Sequence, residues 1–318
     1  MTRDHGGNID AAMERFGGTG WIDLSTGINR CPYPIPPLPP EAWTALPTAC
    51  AKAALIAAAR KAWGCTAPML ATAGAQAAIQ MIPRLRPSGL ARVLSPTYNE
   101  HAATLAAAGW RVEPCADLAA LSGADLAVLV NPNNPDGQSH APEALAALDV
   151  GLLVVDESFA DPVPDLSLLA QAGRPGLLVL RSFGKFYGLA GVRLGFVAGH
   201  EADIAALGAM AGPWPVSGAA LEIGRVALAD ADWAGQTARR LAEDARRADA
   251  LASGAGWRLV GGAHLFRLYD AGDAVAAQER LARHRIWSRI FPWHDRWLRL
   301  GLPGTEEEWA RLSAALGK

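Results

Sequence analysis

Lysine is scarce in this 318-residue chain: only Lys52, Lys61, Lys185 and Lys318 occur, and arginine carries nearly all the remaining positive charge. The four cysteines, Cys31, Cys50, Cys65 and Cys115, form no C-x-x-C pair and have no close histidines. That argues against a zinc site and a disulfide framework; they read as small buried residues in a reducing compartment. No apolar run approaches the roughly 18 residues of a membrane span. Residues 1–10 lack the basic start and apolar core of a secretory signal. Neither sign of charge dominates, since 29 Lys and Arg against 31 Asp and Glu leave a net charge of −2. No general field therefore attracts nucleic acid or an anionic membrane, and any bound anion needs a local cluster. The expectation is a cytoplasmic protein without metal, nucleic-acid or membrane partners.

What is present is a well-cored chain, with 51% hydrophobic and 19% charged residues. Its length suits two domains. The prolines of residues 30–40 predict an extended arm. From about residue 52, short apolar strands alternate with alanine-rich helices. Strands are expected at Arg92–Ser95, Leu126–Val130, Leu152–Val155, Leu177–Leu180 and Leu194–Ala198. Helices are expected at Ala53–Trp63, Gln76–Ile82, Asn99–Ala108, Pro142–Leu148 and Glu201–Met210. This alternation, with continuous apolar strands, predicts an α/β fold around a mostly parallel sheet. Residues 212–218 read as a joint, followed by one long helical stretch over Ala219–Ser253. The remainder has an α+β pattern: strands at Trp257–Val260, His264–Leu268, Ile286–Ile290 and Leu298–Leu300, a helix at Ala274–Arg283, and a last helix capped by Thr305. The expected division is a large α/β domain over residues 41–211, with residues 1–40 and 212–318 forming the arm and a smaller α+β domain.

The unusual polar residues fall after the apolar strands, where open α/β sheets bind ligands. Lys185 follows Leu177–Leu180 in a glycine and aromatic loop, and lysine is the side chain that forms Schiff bases with carbonyl cofactors. Ser182 and Arg193 together can hold a phosphate. Gly74, Ala75 and Gln76 open a helix where small residues let backbone N–H groups approach an anion. Asp156 ends an apolar strand and needs a partner, which a pyridinium nitrogen would supply. Asn134, in the run NPNNP, can donate to a phenolate oxygen, and Tyr98 can stack on a flat ring. Taken singly each has a plainer explanation: a surface lysine, a tight turn, a helix cap, a packed tyrosine. The ordered set, each member after its own strand, points to pyridoxal 5′-phosphate (PLP).

Together with HGGN at His5–Asn8, LSTGIN at Leu24–Asn29, RSFGKFYGLAGVRLGF at Arg181–Phe196 and GPWPVS at Gly212–Ser217, this set resembles the fold-type-I PLP enzymes of the class I/II aminotransferase superfamily. Within it the chain is similar to the histidinol-phosphate aminotransferase branch, including its threonine-phosphate decarboxylases. The resemblance implies that Lys185 bonds the cofactor and Asp156 pairs with its ring nitrogen. Asn134 would face the phenolate oxygen, and Tyr98 would stack on the ring. Gly74, Ala75, Ser182 and Arg193 would take the phosphate, with Gln76 opening the helix. It further implies that Arg289 and Arg299 bind substrate anions, that His5, Gly6, Gly7 and Asn8 close over the substrate phosphate, and that Ile28 and Asn29 border the substrate. A homodimer is implied as well.

The activity so implied is decarboxylation of L-threonine O-3-phosphate, a small phosphorylated amino acid, to (R)-1-amino-2-propanol phosphate for cobalamin biosynthesis. An aminotransferase acting on histidinol phosphate or a similar amino-phosphate is the alternative, and a degenerate, non-catalytic partner protein of the cobalamin pathway is another. Three positions depart from the wider pattern: Phe159 stands where aminotransferases carry tyrosine, Gly184 where Ser or Thr precedes the lysine, and Leu46 where a tyrosine reaches the neighbouring subunit's cofactor.

Overall fold

The computed structural model describes residues 5–317. The chain forms two compact units. One comprises Tyr33–Asn134 and Ser139–Gly235. The other comprises the described residues up to Pro32, Pro135–Gln138, and the chain from Gln236 onward. The divisions fall at Pro32 and Gly235 instead of residues 40 and 211. The cause is packing: α2 (Glu41–Thr44) and α3 (Ala49–Ala62) both lie against the helix Gly218–Ala229, which keeps residues 33–62 and 212–235 with the sheet.

The smaller unit opens with α1 (Ile9–Phe16) and the short β1 (Ile22–Asp23). Neither is anticipated above, although Ile9, Ala12, Met13 and Phe16 recur at helical spacing behind the Asn8 cap. The larger unit continues after α3 with β2 (Met69–Thr72), α4 (Ala75–Met81), β3 (Leu90–Leu94), α5 (Asn99–Ala107), β4 (Arg111–Cys115), β5 (Leu126–Val130), α6 (Pro142–Ala146), β6 (Leu153–Asp156), β7 (Leu177–Ser182), α7 (Phe183–Phe186), β8 (Gly195–Gly199), α8 (Glu201–Ala211) and α9 (Gly218–Ala229). Its seven strands run in the order β2-β8-β7-β6-β5-β3-β4. The pairs among β3 to β7 are parallel, and β8 runs antiparallel to both neighbours. The α/β expectation therefore holds. Strands β5, β6 and β8 are buried along their whole length, as a sheet covered on both faces requires. Val128, Val154 and Leu180 pack with Ile79 and Leu105 in its core.

Strand β4 escapes the sequence reading for a physical reason. It is an edge strand, RVEPC, whose charges and proline suit an edge but interrupt an apolar pattern.

The expected single helix over Ala219–Ser253 is two helices, α9 and α10 (Ala231–Gly254). Asp230 breaks it: its N–H bonds back to Ala227 O, while its Oδ1 accepts from Trp233 N at 2.9 Å and starts the next helix. The smaller unit is completed by β9 (Arg258–Ala263), β10 (Phe266–Asp270), α11 (Ala274–Arg283), β11 (Ile286–Trp287), β12 (Arg289–Phe291), β13 (His294–Gly301) and α12 (Glu306–Leu316). The strand expected at Ile286–Ile290 is divided at Ser288, because β11 pairs with β1 and β12 joins the sheet β12-β13-β10-β9. Thr305 caps α12 by accepting from Glu308 N.

Gly195 shows how tightly the larger unit is built. It pairs with Ser182 on one side and Thr72 on the other, and a Cβ on it would lie 2.3 Å from Ala75 N and 2.5 Å from Gly74 C. Backbone atoms cannot yield as a side chain can. Gly195→Ala is therefore expected to destabilise the protein by about 1–3 kcal/mol, the usual cost of overpacking. Urea unfolding at unchanged slope would measure it, and a midpoint equal to the wild type would contradict the packing.

Candidate active site

Nine residues expected to hold the cofactor lie along one edge of the seven-stranded sheet. Gly74, Ala75 and Gln76 follow β2, Tyr98 follows β3, Asn134 follows β5, Asp156 ends β6, Ser182 ends β7, and Lys185 lies in α7. Arg193 precedes β8. Because β8 is antiparallel to β7, its start lies at the same edge as the ends of the others. All nine line a single cavity, joined by Ser158, Phe159 and Gly184.

Local chemistry explains which atoms reach that cavity. Of the three asparagines in NPNNP, Asn131 donates to His140 O (3.1 Å) and accepts from His140 N (2.9 Å), while Asn133 donates to Pro96 O (3.0 Å) and accepts from Thr97 Oγ1 (2.7 Å). Those two hold the turn, and Asn134 lines the cavity. Gly74 has φ +73°, and a Cβ there would lie 2.5 Å from Arg193 Nη2. The bare backbone admits the guanidinium to the start of α4. Arg193 itself is left-handed (φ 55°, ψ 51°), a conformation costing a non-glycine residue about 1–2 kcal/mol. Such strain persists where the surroundings demand it, commonly at ligand clamps. A glycine cradle, a serine hydroxyl and a forked cation at one place fit a phosphate monoester. Gly184 also has a steric reason: a Cβ on it would lie 2.6 Å from Ala190 Cα, so no hydroxyl-bearing residue fits before the lysine. Phe159 is buried, with the Lys185 Nζ 5.8 Å from its ring centre.

Asp156 is 3% exposed. Burial pushes its carboxyl up, but the hydrogen bond from buried His101 (Nε2 to Oδ2, 2.9 Å), that ring's charge, and the Ser158 hydroxyl and N–H outweigh it. The net direction is below the ordinary carboxylate range, so Asp156 stays ionised and can pair with a protonated ring nitrogen. The sequence reading misses both partners. Ser158 stands two residues from Asp156 and could have been suspected as a turn partner. His101 lies 55 residues away on α5, and nothing local links the two. Tyr98 is also positioned, its hydroxyl donating to Gln76 Oε1 (3.2 Å) while Gln76 Nε2 donates to buried Glu100 (3.0 Å).

The expected substrate residues lie in the smaller unit. Arg289 on β12 pairs directly with Arg299 on β13. Arg299 is 6% exposed, lies over the Phe266 ring, and donates from Nη2 to Ser25 O at 2.6 Å. Burial first, then the neighbouring Arg289 charge, pushes its guanidinium down to about 9. Like charges placed opposite each other across strands repel, and an anion brought to them relieves the repulsion. A cavity of about 860 Å³ takes in His5, Gly6, Asn8 and Arg289, but its lining does not include Gly7, Ile28, Asn29 or Arg299. Gly7 N donates to Ser25 Oγ (2.8 Å), and Asn29 Oδ1 accepts from Arg240 Nη2 (2.7 Å). Ile28 is half-buried. Asn8 Oδ1 accepts from Ala11 N, so its side chain caps α1 in addition to edging the cavity. No group of three metal-ligating side chains occurs among the described residues.

His101→Ala removes the largest influence holding Asp156 ionised and leaves a buried acceptor short of a donor, at a cost of about 1–3 kcal/mol. The Asp156 carboxyl then rises, so any activity that needs it ionised should fail at a higher pH on the acid side than in the wild type. A pH–rate profile with an unmoved acid limb would contradict this.

The family model for aminotransferase class I and II matches residues 51–316. The chain is 41% identical over 324 residues to the threonine-phosphate decarboxylase of Pseudomonas aeruginosa, covering 98% of this chain and 97% of that protein. It is 42% identical over 328 residues to a threonine-phosphate decarboxylase of a Sinorhizobium species, covering 99% and 97%. In fold it is similar to the histidinol-phosphate aminotransferase of Sinorhizobium meliloti solved in complex with pyridoxal-5′-phosphate, with a TM-score of 0.79 at 22% identity over 96% of this chain and 92% of that one. Matched by the family model over residues 51–316, the chain belongs to the aminotransferase class I and II family.

Proposed function

We propose that this protein is a PLP-dependent decarboxylase of L-threonine O-3-phosphate, yielding (R)-1-amino-2-propanol phosphate for cobalamin biosynthesis. The near-complete match to two threonine-phosphate decarboxylases carries the reading. The lining of the sheet-edge cavity supports it, since a lysine, an ionised aspartate and a glycine–serine–arginine phosphate cradle are the groups PLP needs.

In this reading PLP, when bound, supplies an electron sink for the pair left on Cα as the bond to CO₂ breaks. The chain's residues bind and orient. Lys185 would hold the cofactor covalently, and its Nζ, once freed, would be the group placed to deliver the proton that replaces CO₂ on Cα. Asp156 would keep the ring nitrogen protonated, with His101 and Ser158 holding its carboxylate in place. Asn134 would donate to the phenolate oxygen and Tyr98 would pack on the ring. Gly74, Ala75, Gln76, Ser182 and Arg193 form the phosphate side of the site.

Arg289 and Arg299 bind the anionic groups of the substrate, His5, Gly6, Gly7 and Asn8 cover its phosphate, and Ile28 and Asn29 border it. The orientation these groups impose selects which Cα bond breaks. Phe159, with no hydroxyl to offer beside Lys185, favours loss of CO₂ over transamination. The protein acts in the cytoplasm as a homodimer. Its four unpaired cysteines and the exposure of Trp43, Leu46 and Trp214 at 69%, 65% and 54% support those two points.

Protein mixed with PLP and L-threonine O-3-phosphate should release CO₂ without added keto acid, and Lys185→Ala should release none. Conversion of the cofactor to pyridoxamine phosphate without CO₂ would favour the aminotransferase reading instead. Arg289→Ala should raise KM for the phosphorylated substrate roughly 10- to 100-fold, the cost of one charged hydrogen bond, while leaving PLP affinity unchanged. An unchanged KM would remove Arg289 from the substrate site.

A further inference from the structure

The larger unit buries an ion cluster that the reaction above does not use. Arg181, next to last in β7, has a side chain only 2% exposed. Its Nε lies 3.3 Å from Glu157 Oε2 and its Nη1 3.7 Å from Asp161 Oδ2; those side chains are 0% and 5% exposed. The guanidinium stands 5.1 Å above the Trp63 ring, and Trp63 Nε1 donates to Asp161 Oδ1 at 2.9 Å. Glu157 also accepts from Ser167 Oγ (2.6 Å) and Leu168 N (2.7 Å). Burial comes first and pushes both carboxyls upward, with Arg181 opposing it. Cys65 and Tyr187 are the other titratable groups within its field.

Stability is a poor reason for such a cluster. The desolvation penalty of a buried ion pair commonly matches its attraction, and well-packed apolar residues do as well. Position supplies a better one. Successive residues of a strand point to opposite faces. Asp156 and Glu157 are neighbours where β6 ends, as are Arg181 and Ser182 where β7 ends. The two strands are in parallel register there, with Asp156 opposite Leu180 and Glu157 N bonded to Leu180 O at 2.9 Å. Asp156 and Ser182 line the cofactor cavity; Glu157 and Arg181 do not. The ion pair thus joins the two strand ends from the face turned away from the cofactor.

We propose that Arg181 is a positioning residue: through Glu157 and Asp161 it fixes the separation of the Asp156 carboxylate from the Ser182–Lys185 turn, and so the seating of the cofactor between them. Asp161 and Trp63 add further contacts to the same guanidinium. The proposal rests on PLP occupying this cavity.

The test compares full-length wild type with Arg181→Lys, Arg181→Met and the fully neutral Arg181→Met/Glu157→Gln/Asp161→Asn. Three quantities are read: the thermal midpoint without cofactor, the PLP dissociation constant, and the pH midpoint of the visible absorption of the PLP-loaded protein. Arg181→Met should weaken PLP binding roughly tenfold and move the pH midpoint by about half a unit, and Arg181→Lys should recover part of both. The triple variant leaves no charge in the cluster, so it should regain the thermal midpoint yet keep the weak binding and shifted absorption. Wild-type PLP affinity and pH midpoint in the triple variant would overturn the proposal and leave the cluster purely structural. Absence of a visible band in the wild type would instead overturn the PLP reading itself.

Discussion

Asp156 ends a central, fully buried strand, and a charge there survives only because three donors surround it. A carboxylate transferred unpaired into such a place would take up a proton. His101 from α5 and the hydroxyl and N–H of Ser158 prevent that, and the group remains an acceptor looking into the cavity. The rest of the site depends on this constraint. In the proposed reading, a fixed negative charge at the end of β6 would define where the ring nitrogen lies, and Lys185 and the glycine–serine–arginine group would take the side of the ring away from it.

The sheet makes the match possible without elaborate loops. Six strands end at the edge where β8 begins, so residues from far apart in sequence arrive within one cavity by topology alone. Close backbone approach does the finer adjustment. Gly74, Gly184 and Gly195 each lie where a Cβ would strike Arg193, Ala190 or the start of α4. The absence of side chains at these points lets Arg193, Ala190 and the start of α4 come close to the backbone. It also accounts for Gly184, which looks like a lost phosphate donor until the proximity of Ala190 is seen.

Much of this was legible in the sequence because the chemistry is strung along strand ends. Lys185, Asp156, Asn134 and Arg193 each follow or enter an apolar run, and the runs at Leu126–Val130 and Leu177–Leu180 mark real strands. What stayed hidden was pairing at a distance. His101 looks like any helix residue until α5 is laid against β6. The Arg181–Glu157–Asp161 cluster consists of charges that ordinarily signal a surface. Strand β4 was masked by the polarity an edge strand needs. The division of the long helix at Asp230 turned on one side chain accepting from Trp233, a local preference that the surrounding alanines and arginines obscured. In the smaller unit the arginines were visible, but their cross-strand opposition was not, because it depends on the β12–β13 register.

The central claim is that Lys185 alone bonds the cofactor, and with only four lysines in the chain it can be tested directly. Protein loaded with PLP is reduced with borohydride, digested, and its peptides mapped by mass. The account predicts the added pyridoxyl mass on the peptide that carries Lys185 and on no other. Label on Lys52, Lys61 or Lys318 with Lys185 unmodified, in protein that is otherwise active, would contradict it.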